Sequence, residues 1–129
     1  MKRLTSSCIM LPALSCFSGC GKQPPEPADP DIARQALTEA LDTWRKGGRA
    51  ADLEKRTPPV YFNEPYYTAG KRLLRYKING ALKPFGRQLT CTVFLSLRDR
   101  EGTTEEMDVP YQIDTDKVVV ISRDFVKRP

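Results

Sequence analysis

Between residues 30 and 46 the apolar side chains recur at helical spacing, and from residue 60 onward they alternate with polar ones. Ile32, Ala36, Leu37, Ala40, Leu41 and Trp44 form one apolar stripe on a helix. The limits of that helix are legible. Asp29 is a capping residue, Pro30 suits the first helical position, and Asp31 places negative charge at the positive end of the helix dipole. Arg45 and Lys46 close the last turn before Gly47-Gly48 stops it. Ala50 to Arg56 predicts a short second helix carrying Leu53, and Pro58-Pro59 prevents its continuation.

Beyond Pro59 the pattern predicts strands. Val60 to Phe62 reads as a short edge strand, and Leu74, Tyr76 and Ile78, alternating with Arg75 and Lys77, read as a second. Residues 88–98 form the longest strand, with Leu89, Cys91, Val93, Leu95 and Leu97 on one face. Asp99 to Gly102 turns it into a fourth strand running to about Ile113. There Met107, Val109, Tyr111 and Ile113 share one face, and Glu106, Asp108, Pro110 and Gln112 the other. Pro110 cannot donate to a ladder and marks a bulge or an unpaired edge. Asp114-Thr115-Asp116 then leads into a last strand, Lys117 to Arg123. The expected class is α+β, with one N-terminal amphipathic helix packed on a single antiparallel meander of about four to five strands. This element order, over about residues 30–125, resembles the small cystatin-like and NTF2-like α+β domains. No catalytic residue carries over from that resemblance.

The first 21 residues have a different character. Lys2 and Arg3 precede an apolar run from Leu4 to Phe17, which is followed by Ser18-Gly19-Cys20-Gly21. That run is interrupted by Thr5, Ser6, Ser7 and Ser15, and a bilayer span needs about 20 apolar residues. The arrangement resembles bacterial lipoprotein precursors, whose lipobox ends in a small residue directly before the modified cysteine. Ser18, Gly19 and Cys20 match it, while Phe17 stands where Leu is usual. The resemblance implies cleavage behind Gly19, a diacylglyceryl thioether on Cys20, and stable membrane attachment through two or more acyl chains. It also implies the outer rather than the inner membrane where a host has both, because Gly21 rather than Asp follows the cysteine. The organisation expected is a signal peptide at 1–19, a lipid-anchored Pro-rich tether at 20–30, one α+β domain at 31–126, and a tail at 127–129. Residues 21–30, Gly-Lys-Gln-Pro-Pro-Glu-Pro-Ala-Asp-Pro, supply no side chain expected to join a core.

On this reading the mature chain keeps 19 basic and 16 acidic residues, a net +3 against +5 for the whole. That balance, without blocks of like charge or a recognisable module, does not point to nucleic acid. Cys8 and Cys16 depart with the signal and Cys20 carries lipid, so Cys91 is left without a disulfide partner. Its place on the apolar face of residues 88–98 predicts a buried structural thiol.

The chain has no histidine. Ser-His-Asp and Cys-His machinery and histidine-based zinc sites are therefore excluded, and no catalytic residue, metal site or cofactor is expected. Glu106 and Asp108 read as the wet face of their strand, and Asp114-Thr115-Asp116 as a turn without the later ligands of a calcium loop.

Three groups remain as candidates. Tyr66, Tyr67 and Tyr111 are positioned to rim a pocket between helix and sheet. Phe94, Val119 and Ile121 are apolar positions without an obvious internal partner, which makes them a candidate partner surface. Lys71, Arg75 and Lys77, placed by strand alternation on one face with Leu73, form a candidate anion-binding face within a wider basic run that includes Arg72, Lys83 and Arg87. The leading expectation is a membrane-anchored envelope lipoprotein whose domain is a structural or protein-interaction module, with an envelope protein or a second copy as partner. The alternative is a small-ligand-binding or isomerase-like pocket domain.

Overall fold

A computed structural model of the chain describes residues 28–124. The residues expected to form the signal peptide, Cys20, most of the expected tether, Phe125 and Val126 at the end of the expected domain, and the tail at 127–129 lie outside the described residues. The elements are α1 (Pro30–Arg45), α2 (Ala50–Glu54), β1 (Val60–Asn63), α3 (Pro65–Thr68), β2 (Arg72–Phe85), β3 (Gln88–Arg98), β4 (Thr104–Thr115) and β5 (Val119–Arg123). The fold is α+β, one main helix with a five-stranded sheet.

The helix ends where its capping residues place it. Asp29 accepts from the backbone N–H groups of Asp31 and Ile32, and Pro30 opens the first turn. Ala33, Ala36, Leu37, Ala40, Leu41 and Trp44 are buried, while Ile32 is 42% exposed at the margin of the stripe. Two polar bonds tie α1 to the start of β2. Trp44 Nε1 donates to the Lys71 carbonyl at 2.8 Å, and the Tyr76 hydroxyl donates to Asp42 at 2.7 Å.

The sheet runs β1-β5-β4-β3-β2 and is mixed, not wholly antiparallel. The four strands β2 to β5 form the expected antiparallel meander, which leaves the outer side of β5 open. β1 fills it in parallel, pairing Val60 with Val119 and Phe62 with Ile121. The inward faces are largely as alternation predicts: Leu89, Cys91, Val93, Leu95 and Leu97 of β3 and Val109, Tyr111 and Ile113 of β4 are all buried.

β2 departs from the simple pattern. Leu73 pairs with Leu97, but the next pair is Arg75 with Ser96, so Leu74 is an extra residue in a bulge. The bulge reverses the parity. Leu73, Tyr76 and Ile78 face the helix, while Arg75 and Lys77 face away from it, opposite to Leu73. A second irregularity sets Asn79 against Thr92 and Lys83 against Thr90, with Gly80 at φ +75°. The expectation that residues 21–30 contribute nothing to the core is also corrected at Ala28. This residue is 6% exposed and its N–H donates to the Arg87 carbonyl at 3.1 Å, so the chain docks before the helix begins.

Candidate functional site

Alternation along two paired strands brings charge into the core. In β1 and the residue after it, Val60, Phe62 and Glu64 point inward; in the parallel neighbour β5, Val119, Ile121 and Arg123 do the same. Glu64 and Arg123 therefore follow one another in register at the end of the pairing. Glu64 is 1% exposed and is one of two buried polar residues among those described, the other being Ser96.

Both oxygens of Glu64 are occupied. Oε1 accepts from the Tyr66 N–H at 3.0 Å, which caps α3, with Pro65 at its first position. Oε2 accepts from the Tyr111 hydroxyl and from Arg123 Nε, the latter at 2.9 Å. Arg123 Nη2 also approaches Oε1 to 2.6 Å, but at an angle that makes no hydrogen bond. That contact is electrostatic, and the Nε bond supplies the direction. The Arg123 guanidinium lies 4.3 Å from the centre of the Tyr66 ring, with Lys71 Nζ 4.2 Å from the same centre.

The electrostatics follow from burial and pairing. Burial pushes the Tyr111 phenol far up, and the Glu64 charge and hydrogen bond add to the shift against the opposing pull of Arg123. Burial draws Arg123 down, but its hydrogen bond and attraction to Glu64 outweigh this and hold the guanidinium above its ordinary value. Tyr111 thus stays a neutral donor and Arg123 a permanent cation. With its oxygens spoken for and solvent excluded, Glu64 joins α3, β4 and β5; it has no lone pair directed at a substrate.

The three tyrosines are brought close to this cluster, each in a different role. Tyr111 is fully buried. The Tyr67 ring stacks on Trp44 at 5.3 Å and its hydroxyl donates to the Gly48 carbonyl; burial, then the Asp52 charge, raises its pKa. Phe62 packs between Trp44 at 6.1 Å and Tyr111 at 5.9 Å. Aromatic rings thus pack the space between the end of α1 and the sheet, where the three tyrosines were expected to rim a pocket; nearer the start of α1 a hollow of about 100 Å³ lies between Ala36, Val60 and Val119 and is bordered by none of the three.

The candidate partner surface is divided by the sheet. Val119 and Ile121 are buried at 1% and 0% on the helix side, whereas Phe94 lies half-buried on the outer face. Arg75 covers Phe94 at 6.0 Å and pairs with Glu106 at 3.1 Å. The candidate anion-binding face is divided as well: Lys71 bonds Glu105 at 3.2 Å beside Tyr66, while Arg75 and Lys77 stand on the outer face. Cys91 is a buried free thiol, pushed by burial up to about 11, with Arg34 pulling slightly the other way. A depression of about 390 Å³ opens on the outer face at the second irregularity of β2, lined by Asn79, Lys83, Thr90, Thr92, Pro110 and Asp124 among others. None of the three tyrosines borders it. No cluster of three or more metal-ligating side chains occurs among the described residues.

Sequence reasoning missed Glu64, which was not among its candidates. Two signals pointed to it: a capping carboxylate directly before proline, and a cation at an inward position of the last strand, which demands an internal partner. No family model, curated protein or solved structure matches the chain.

Proposed function

We propose that the chain is a lipid-anchored protein of the bacterial envelope, acylated on Cys20, whose α+β domain is a structural or protein-interaction module. The lipobox-like Ser18-Gly19-Cys20 behind Lys2, Arg3 and the apolar run supports the anchor. Among the described residues no helix is long and apolar enough to cross a membrane. The observation that carries the reading of the domain is the closed state of Glu64. The one deeply buried carboxylate among the described residues is consumed by Tyr66, Tyr111 and Arg123. The buried Glu64 carboxylate binds its neighbours' side chains, and the Trp44, Phe62 and Tyr67 rings pack between the end of α1 and the sheet. Both features favour a module that presents a surface over one that encloses a substrate.

Fractionation of cells expressing wild type and Cys20→Ser tests the anchor. Wild type is expected in membranes after a high-salt wash and released only by detergent, while the variant is expected in the soluble fraction. A variant that stays on salt-washed membranes to the same extent as wild type contradicts the anchor.

A further inference from the structure

The charges of the domain are segregated. From Arg72 to Arg98, the whole β2–β3 hairpin, there are six cations, Arg72, Arg75, Lys77, Lys83, Arg87 and Arg98, and no Asp or Glu. All six are exposed, and only Arg75 has an ion pair among the described residues, with Glu106 of β4. Four of them lie on β2, which forms one edge of the sheet. The same edge strand carries two of the four exposed large apolar side chains among the described residues, Leu74 at 38% and Phe85 at 50%. The N-terminal segment arrives at this hairpin, because the Ala28 N–H is bonded to the Arg87 carbonyl. Cys20 is only eight residues earlier, a reach of at most about 28 Å even fully extended.

We infer that the β2 edge lies against the membrane, with Arg72, Lys77 and Lys83 on anionic lipid headgroups and Leu74 and Phe85 at the level where headgroups meet acyl chains. This placement rests on the anchor proposed at Cys20, which brings the hairpin to the bilayer. A second copy is a poor occupant for the edge, since antiparallel pairing of β2 with itself gathers the four cations of each copy along one seam. An approach through the hairpin tip alone is also disfavoured. Asp29 and Asp31 at the start of α1 and Asp114 and Asp116 at the β4–β5 turn lie at that end, where the Asp29 N–H bonds Thr115 Oγ1 at 2.9 Å. The acids of β4, Glu105, Glu106 and Asp108, are set back behind β3 and do not line the edge. Lying on its β2 side, the domain turns its basic border to the lipid; Asp42, the carboxylate that reaches β2 from α1, is bonded by Tyr76, and Asp99 and Glu101 flank only the Arg72 end.

The test uses the full chain with Cys20→Ser, so that no acyl chain contributes, and co-sedimentation with vesicles of phosphatidylcholine alone or with one quarter phosphatidylglycerol. Each cation near an anionic surface contributes about fivefold in affinity. Binding is expected to need phosphatidylglycerol, to weaken steeply as salt is raised, and to fall about a hundredfold in Arg72→Glu/Lys77→Glu/Lys83→Glu. The control Lys46→Glu/Lys55→Glu/Lys117→Glu makes the same change in net charge elsewhere and is expected to bind within a few fold of the parent. Unchanged fluorescence of Trp44 reports that both variants are folded. Equal binding to both vesicle types, equal losses in the two triple variants, or binding to soluble polyglutamate but not to vesicles overturns the inference. Because acylation plays no part in this assay, a failed anchor shows in the fractionation and a failed lipid-facing edge shows here.

Discussion

Glu64→Ala is expected to destabilise the domain by about 3 kcal/mol, since it leaves the Arg123 guanidinium, whose side chain is 16% exposed, without its counter-charge. It also removes the cap of α3 and the acceptor of the Tyr111 hydroxyl. For a domain of this size the loss corresponds to a fall of roughly 12 °C or more in Tm. Against a total stability of about 5–15 kcal/mol, the variant would be marginal. The combination Glu64→Leu, Arg123→Met and Tyr111→Phe replaces the whole cluster with apolar groups and is expected to recover most of the loss, because the damage comes from the orphaned partners. Thermal and urea unfolding of the single and triple variants measure this. A single variant within 1 kcal/mol of wild type would mean that Glu64 is not the tie between β1, β4 and β5.

Trp44→Ala is expected to cost a further 3–5 kcal/mol by a different route, roughly the range for truncating a large buried aromatic. Trp44 is 2% exposed, stacks on Tyr67, meets Phe62 edge-on and bonds the Lys71 carbonyl. Its removal leaves a cavity between helix and sheet and an unpaired carbonyl at the start of β2. Trp44→Phe keeps much of the volume and is expected to lose less than half as much. Urea unfolding followed by circular dichroism distinguishes them, and equal losses in the two variants would show that the bond to Lys71, not the packing, dominates.

What the sequence revealed was local, and what it concealed depended on partners distant along the chain. The helix was readable because Asp29, Pro30 and Gly47-Gly48 act within a few residues of its ends. β3 was readable because its alternation is unbroken from Leu89 to Leu97. Alternation held for Tyr76 and Ile78 against Arg75 and Lys77 but misled at Leu74, where a single bulged residue puts Leu73 instead of Leu74 on the inward face and parts it from Arg75 and Lys77. The parallel union of β1 with β5 joins residues nearly 60 positions apart, and nothing near Val60 specifies its partner. Glu64 was hidden for the same reason: it sits among loop-forming residues, and Tyr111 and Arg123, which bury it, come from two other strands. Val119 and Ile121 have internal partners after all, since α1 and β1 pack against β5. The half-buried Phe94 is shielded by its neighbour Arg75.

The proposed role depends on acylation of one cysteine, and the intact mass of the protein isolated from cell membranes tests this most directly. The account predicts a chain beginning at Cys20, heavier than its residues by a diacylglyceryl group or more. A protein that retains Met1 and residues 2–19, with an unmodified thiol at Cys20, would contradict it.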